Sequence, residues 1–172
     1  MKRVWLLFFV LFTICAVSLG FTLSAKEYYK PITSSVNIAD IPKSDEAYAY
    51  YEIFKQFNEE IERADSTKYL ALDISKMIYD ADLKQNLIAI FLDYCDKNDY
   101  TLLMDTWDGL KKHGYISRNG GFDEGFLISF YDREIDDNRL VVRVLSDRGT
   151  TYTVELIDGE WQITDISSFG VA

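Results

Sequence analysis

Between positions 45 and 64, apolar residues recur at helical spacing. Tyr50, Phe54, Phe57 and Ile61 follow at steps of four, three and four, joined by Ala47 and Tyr51, while Glu52, Lys55, Glu59, Glu60 and Arg63 take the other side. This predicts an amphipathic helix, with Ser44 as N-cap and Asp45 and Glu46 in the first turn, where negative charge suits the dipole. A second helix is predicted over 81–97, with Leu83, Leu87, Ile90, Phe91 and Tyr94 on one face and Cys95 beside them. Thr106 caps a short third helix over 107–113, and Gly114 ends it. After Gly120-Gly121 the period becomes two. Strands are predicted over 126–134, 140–145, 151–157 and 161–166, with turns at Asp136-Asp137-Asn138, Asp147-Arg148-Gly149 and Asp158-Gly159. The stretches 69–74 and 100–104 read equally as short strands or helical turns. The order, helices first and strands last, predicts an α+β domain with two to three helices packed on a four-stranded antiparallel meander.

Residues 4–25 contain no charge, are mostly apolar, and follow Lys2 and Arg3. As a helix, such a run is roughly 33 Å long, about the thickness of a bilayer's hydrocarbon core. Its length favours an uncleaved signal-anchor, since the apolar core of a cleaved signal is about 7–15 residues. Cleavage after Ala25 stays open, although Leu23 is larger than the small residue usual two places earlier. Ile14 before Cys15 argues against a lipoprotein. The expected organisation is a signal-anchor or signal peptide at 1–25, a juxtamembrane linker at 26–44 holding both prolines, and one extracytoplasmic domain at 45–172. By the positive-inside rule the chain crosses the cell membrane once with its C-terminal domain outside the cytoplasm, and is secreted if the segment is cut.

Charge narrows the choice of partners. The chain carries a formal −10 at pH 7, and the part after the apolar run is more acidic still. It repels nucleic-acid phosphate and attracts a basic protein or peptide. Cys95 is the single cysteine after the apolar run, so no disulfide forms within the domain and a packed core must stabilise it. The aromatic content of 15% suits such a core.

No motif reaches the level of a catalytic, metal or cofactor site. His113, the one histidine, acts as a general base only if Asp105 or Asp108 orients it; otherwise it is a polar residue in a helix's last turn. Cys95 as nucleophile needs that histidine, and its place beside an apolar face reads better as packing. Asp93, Asp96, Asn98 and Asp99 are rich in oxygen, but an EF-hand loop from Asp96 needs glycine and glutamate where Thr101 and Trp107 stand. Asp132, Glu134, Asp136 and Asp137 read as a solvated hairpin. The remaining candidate is a ligand pocket lined by Tyr50, Phe54, Phe57, Tyr152 and Trp161, if helix and sheet diverge at one end; core packing accounts for the same residues.

The element order and the closing phrase from Thr153 to Thr164 (TVELIDGEWQIT) resemble the exported NTF2-like (cystatin-like) proteins of Gram-positive bacteria. That resemblance implies a sheet curled around a long helix into a cone, sometimes with a binding or catalytic pocket. The phrase from Leu102 to Ile116 is similar to uncharacterised clostridial-type exported proteins, which bring no assigned function or site residues. Its Trp107–Ile116 part also resembles a winged-helix recognition helix, a reading set aside for the acidic charge and the export segment. Two functional expectations follow: a non-enzymatic extracytoplasmic domain binding a protein or peptide partner at the envelope, or a pocket protein or enzyme acting on a small apolar ligand.

Overall fold

The computed structural model describes residues 32–60, 66–145 and 149–169. The apolar run at 4–25 and its fate lie outside the described residues. None of the described helices is long and apolar enough to cross a membrane.

A short 3-10 turn, Ile38–Asp40, precedes helix α1, Glu46–Glu59. The N-cap of α1 is Asp45 rather than Ser44, its carboxylate accepting from the Ala47 N–H. Strand β1 (Tyr69–Lys76), helix α2 (Ala81–Lys97), strand β2 (Thr101–Met104) and helix α3 (Trp107–Lys112) follow. Strands β3 (Gly125–Asp136), β4 (Arg139–Leu145), β5 (Gly149–Ile157) and β6 (Glu160–Phe169) close the chain. Among the described residues the fold is α+β, with three helices on a six-stranded mixed sheet of order β2-β1-β3-β4-β5-β6.

The expected meander is present as β3 to β6, each antiparallel to the next. The expectation of four strands, all following the helices, is corrected: β1 and β2 extend the sheet, and β1 runs parallel to both β2 and β3. The physical reason is burial. From Leu70 to Ile74 every residue of β1 is buried, because the strand lies inside the sheet with apolar layers on both faces. A strand covered on both sides has no polar side and so loses the two-residue period.

The larger layer holds α1 and α2 against Leu70 and Leu72 of β1, Ile128 and Phe130 of β3, Val142 of β4 and Tyr152 and Val154 of β5. Phe54 is its hub, with ring centroids 5.0 Å from Phe91 and 4.8 Å from Tyr94. The opposite face carries a smaller cluster, Ala71, Leu103, Leu110 and Ile116, which seats α3. The β5–β6 hairpin turns on Asp158 (φ 52°) and Gly159 (φ 84°), the paired positive angles of a tight two-residue turn.

Candidate functional site

The Asp158-Gly159 turn carries Glu160 and Trp161 back across α1. Trp161 lies against the start of that helix and donates its indole N–H to the Ser44 carbonyl at 3.0 Å. The space between helix and turn is an open cleft of about 360 Å³ lined by Lys43, Tyr48, Glu52, Lys55, Glu160, Trp161 and Gln162. Its floor is aromatic and its rim is charged. Lys43 Nζ stands 4.0 Å from the centroid of the Tyr48 ring, within range of a cation–π contact. Lys55 pairs with Glu52 at 2.6 Å, while Glu160 makes no ion pair among the described residues.

A second constellation lies where the first turn of α1 meets β3. The Tyr50 hydroxyl donates to Asp132 Oδ1 at 2.8 Å and stands 3.4 Å from Glu46 Oε1; the Ile78 N–H donates to Asp132 Oδ2. Burial pushes the Glu46 carboxyl above the ordinary glutamate value, helped by the negative charges of Asp132, Asp45 and Asp80 and opposed by its contact with Tyr50. Burial also raises Asp132, against the lowering pull of its bonds from Ile78 and Tyr50. Tyr50 is raised by burial and by the same two carboxylates. Asp132 is therefore not the solvated hairpin residue expected: it is half-buried, whereas Glu134, Asp136 and Asp137 are exposed.

On the other face of the sheet, Asp105 Oδ2 lies 3.1 Å from His113 Nδ1, while Asp105 Oδ1 accepts the Thr106 N–H. Of the two carboxylates considered for His113, Asp105 is the one in contact. Gly109 makes this possible, for a Cβ there would lie 1.8 Å from Asp105 Oδ1. Cys95 is buried in the layer that holds α1 and α2, whereas α3, which His113 caps, packs on the opposite face. A Cys95–His113 pair is thus excluded by the sheet between them. No group of three or more histidine, cysteine or acidic side chains placed to hold a metal occurs among the described residues.

The proposed pocket residues are placed as follows. Tyr50, Phe54, Phe57 and Tyr152 belong to the main core, none more than 6% exposed. Trp161 belongs to the same core and also lines the cleft. Within the core the Tyr152 hydroxyl is buried without a hydrogen-bond partner among the described residues, and burial, with the charge of Glu60, pushes its pKa up to about 12. Sequence reasoning missed the cleft and the Glu46–Tyr50–Asp132 contact. The four-residue spacing of Glu46 and Tyr50 signalled a shared helix face, but nothing along the chain pointed from it to position 132. No family model matches the chain, and neither a curated protein nor a solved structure is significantly similar to it.

Proposed function

We propose that this chain is a non-enzymatic extracytoplasmic domain, tethered or secreted through residues 4–25, that binds a basic protein or peptide partner at the cell envelope. The cleft beside Tyr48 and Trp161 is where a cationic side chain of that partner docks. The observation that carries the reading is Lys43 Nζ lying 4.0 Å over the Tyr48 ring: this ring face already accepts an ammonium group, and a partner's lysine or arginine takes the same environment. Glu160 supplies a counter-charge at the rim, and the chain's net charge of −10 draws basic segments toward it. A small apolar ligand between helix and sheet, by contrast, would have to displace Phe54 and Tyr152, both fully buried.

The test is calorimetric titration of the full-length chain, in non-ionic detergent, with short lysine-rich, arginine-rich and glutamate-rich peptides at low and moderate salt. Basic peptides bind, more weakly as salt rises, and acidic ones do not. Glu160→Lys weakens binding by about tenfold, the combined effect of one lost attraction and one new repulsion at a partly exposed site. Equal binding by wild type and Glu160→Lys, or no preference for basic over acidic peptides, overturns the reading.

A further inference from the structure

We infer that Glu46, Tyr50 and Asp132 form a proton-operated clasp, closed while Glu46 carries a proton and loosened when it ionises. The clasp ties the first turn of α1 to β3 and to the segment ahead of α2. It is independent of the peptide-binding reading.

The inference comes from counting hydrogens. A tyrosine hydroxyl has one hydrogen to give and lone pairs to receive with. Asp132 takes that hydrogen at 2.8 Å on Oδ1 and the Ile78 N–H on Oδ2, so it accepts on both oxygens, as an ionised carboxylate does. With its hydrogen committed to Asp132, Tyr50 presents lone pairs to Glu46 Oε1, 3.4 Å away; its lowering influence on Glu46 belongs to the other setting of the hydroxyl, in which that hydrogen turns to Glu46. An ionised Glu46 there sets lone pair against lone pair. A protonated Glu46 donates its O–H to the Tyr50 oxygen and completes a directed chain from Glu46 through Tyr50 to Asp132, the kind of chain whose bonds strengthen one another away from water.

The surrounding charges favour the protonated form. Those acting on Glu46 are Asp132 from β3, Asp45 from its own helix cap and Asp80 from the cap of α2, and all three are acidic. Burial acts in the same direction and is the largest influence. The dipole at the start of α1 favours an anion, but Asp45 already places its carboxylate on the Ala47 N–H as the cap. The fold therefore binds the Glu46 proton more tightly than the unfolded chain does. The contribution of the Glu46 proton is fully present below the ordinary glutamate value of 4.5 and is lost as pH rises through the higher value of the folded state, while Asp132, itself raised by burial, closes the chain of hydrogen bonds only in its ionised form.

The experiment follows the full-length chain in non-ionic detergent from pH 4 to pH 8. Carboxyl-carbon NMR reads the titration of Glu46, and amide exchange reads the Ile78 N–H. The reference is Glu46→Gln, whose amide donates to Tyr50 at every pH. Glu46 is expected to titrate above 4.5, and Ile78 protection in wild type to fall about five- to tenfold relative to Glu46→Gln across that range, the loss of roughly one hydrogen bond. A Glu46 titration at or below 4.5 overturns the clasp, as does a constant ratio of Ile78 protection between the two proteins. The first reading is made on wild type and holds even if the variant does not fold.

Discussion

Replacing Phe54 by alanine separates a packed interior from a ligand pocket at the centre of the domain. Phe54 is fully buried. Its ring meets Phe91 and Tyr94 edge-on, at 5.0 and 4.8 Å, and stacks with Tyr51 at 6.2 Å and Phe126 at 6.5 Å. Truncating such a residue to alanine costs about 3–5 kcal/mol when the surroundings cannot collapse. The edge-on pairs add about 0.5–1.5 kcal/mol each beyond the area they bury. Four aromatic neighbours drawn from α1, α2 and β3 leave little freedom to collapse, so the upper part of the range is expected, about 4–5 kcal/mol. Against a total stability of about 5–15 kcal/mol for an ordinary domain, that is a large share. At about 2–4 °C per kcal/mol for a chain of this size, the melting midpoint drops by about 8–20 °C. Urea unfolding of wild type and Phe54→Ala in the same detergent, followed by tyrosine and tryptophan fluorescence, reads the difference. A loss below about 1 kcal/mol would refute the reasoning, because it is what a side chain facing an unfilled cavity costs, and it would return Tyr50, Phe54, Phe57 and Tyr152 to the list of pocket-lining residues.

Two further outcomes follow from the geometry. Tyr50 and Tyr152 hold their protons more tightly in the fold, Tyr152 up to about 12 and Tyr50 further. The unfolded chain thus releases protons first as pH rises past the ordinary tyrosine value of 10, and stability falls from there upward; thermal midpoints from pH 9 to pH 11 check this, with a flat profile contradicting it. Gly109→Ala drives a methyl group into Asp105, 1.8 Å from its Oδ1. It destabilises by about 1–3 kcal/mol despite alanine's better helix propensity and separates Asp105 from His113, which imidazole-nitrogen NMR detects as a changed Nδ1 environment; an unchanged spectrum would show that Asp105 does not need the space.

The helices and the meander were legible along the chain because each has a wet side. The residues of 81–97 alternate between core and solvent at helical spacing, and the observed helix covers the same span. In β4, buried Leu140, Val142 and Val144 alternate with half-exposed neighbours, which is the period two that the sequence displays. Asp158-Gly159 marked its hairpin through the positive φ angles that the two-residue turn requires. These features are local and need only a few consecutive side chains. What tertiary structure alone decided is how distant segments meet. The strand character of 69–76 emerged only once both faces of β1 were covered, since a segment buried all round carries no periodic signal, while 101–104, four residues at the edge of the sheet, is too short to display a period. Position 132 reads as one more acid in a charged hairpin, yet the register of β3 places it against Tyr50, eighty-two residues earlier. Trp161 reads as an inward strand residue, which it is, but only the packing of α1 on the end of the sheet makes it a wall of the cleft. A pattern along the chain records which side of a segment faces water; which segments share that side is set by packing.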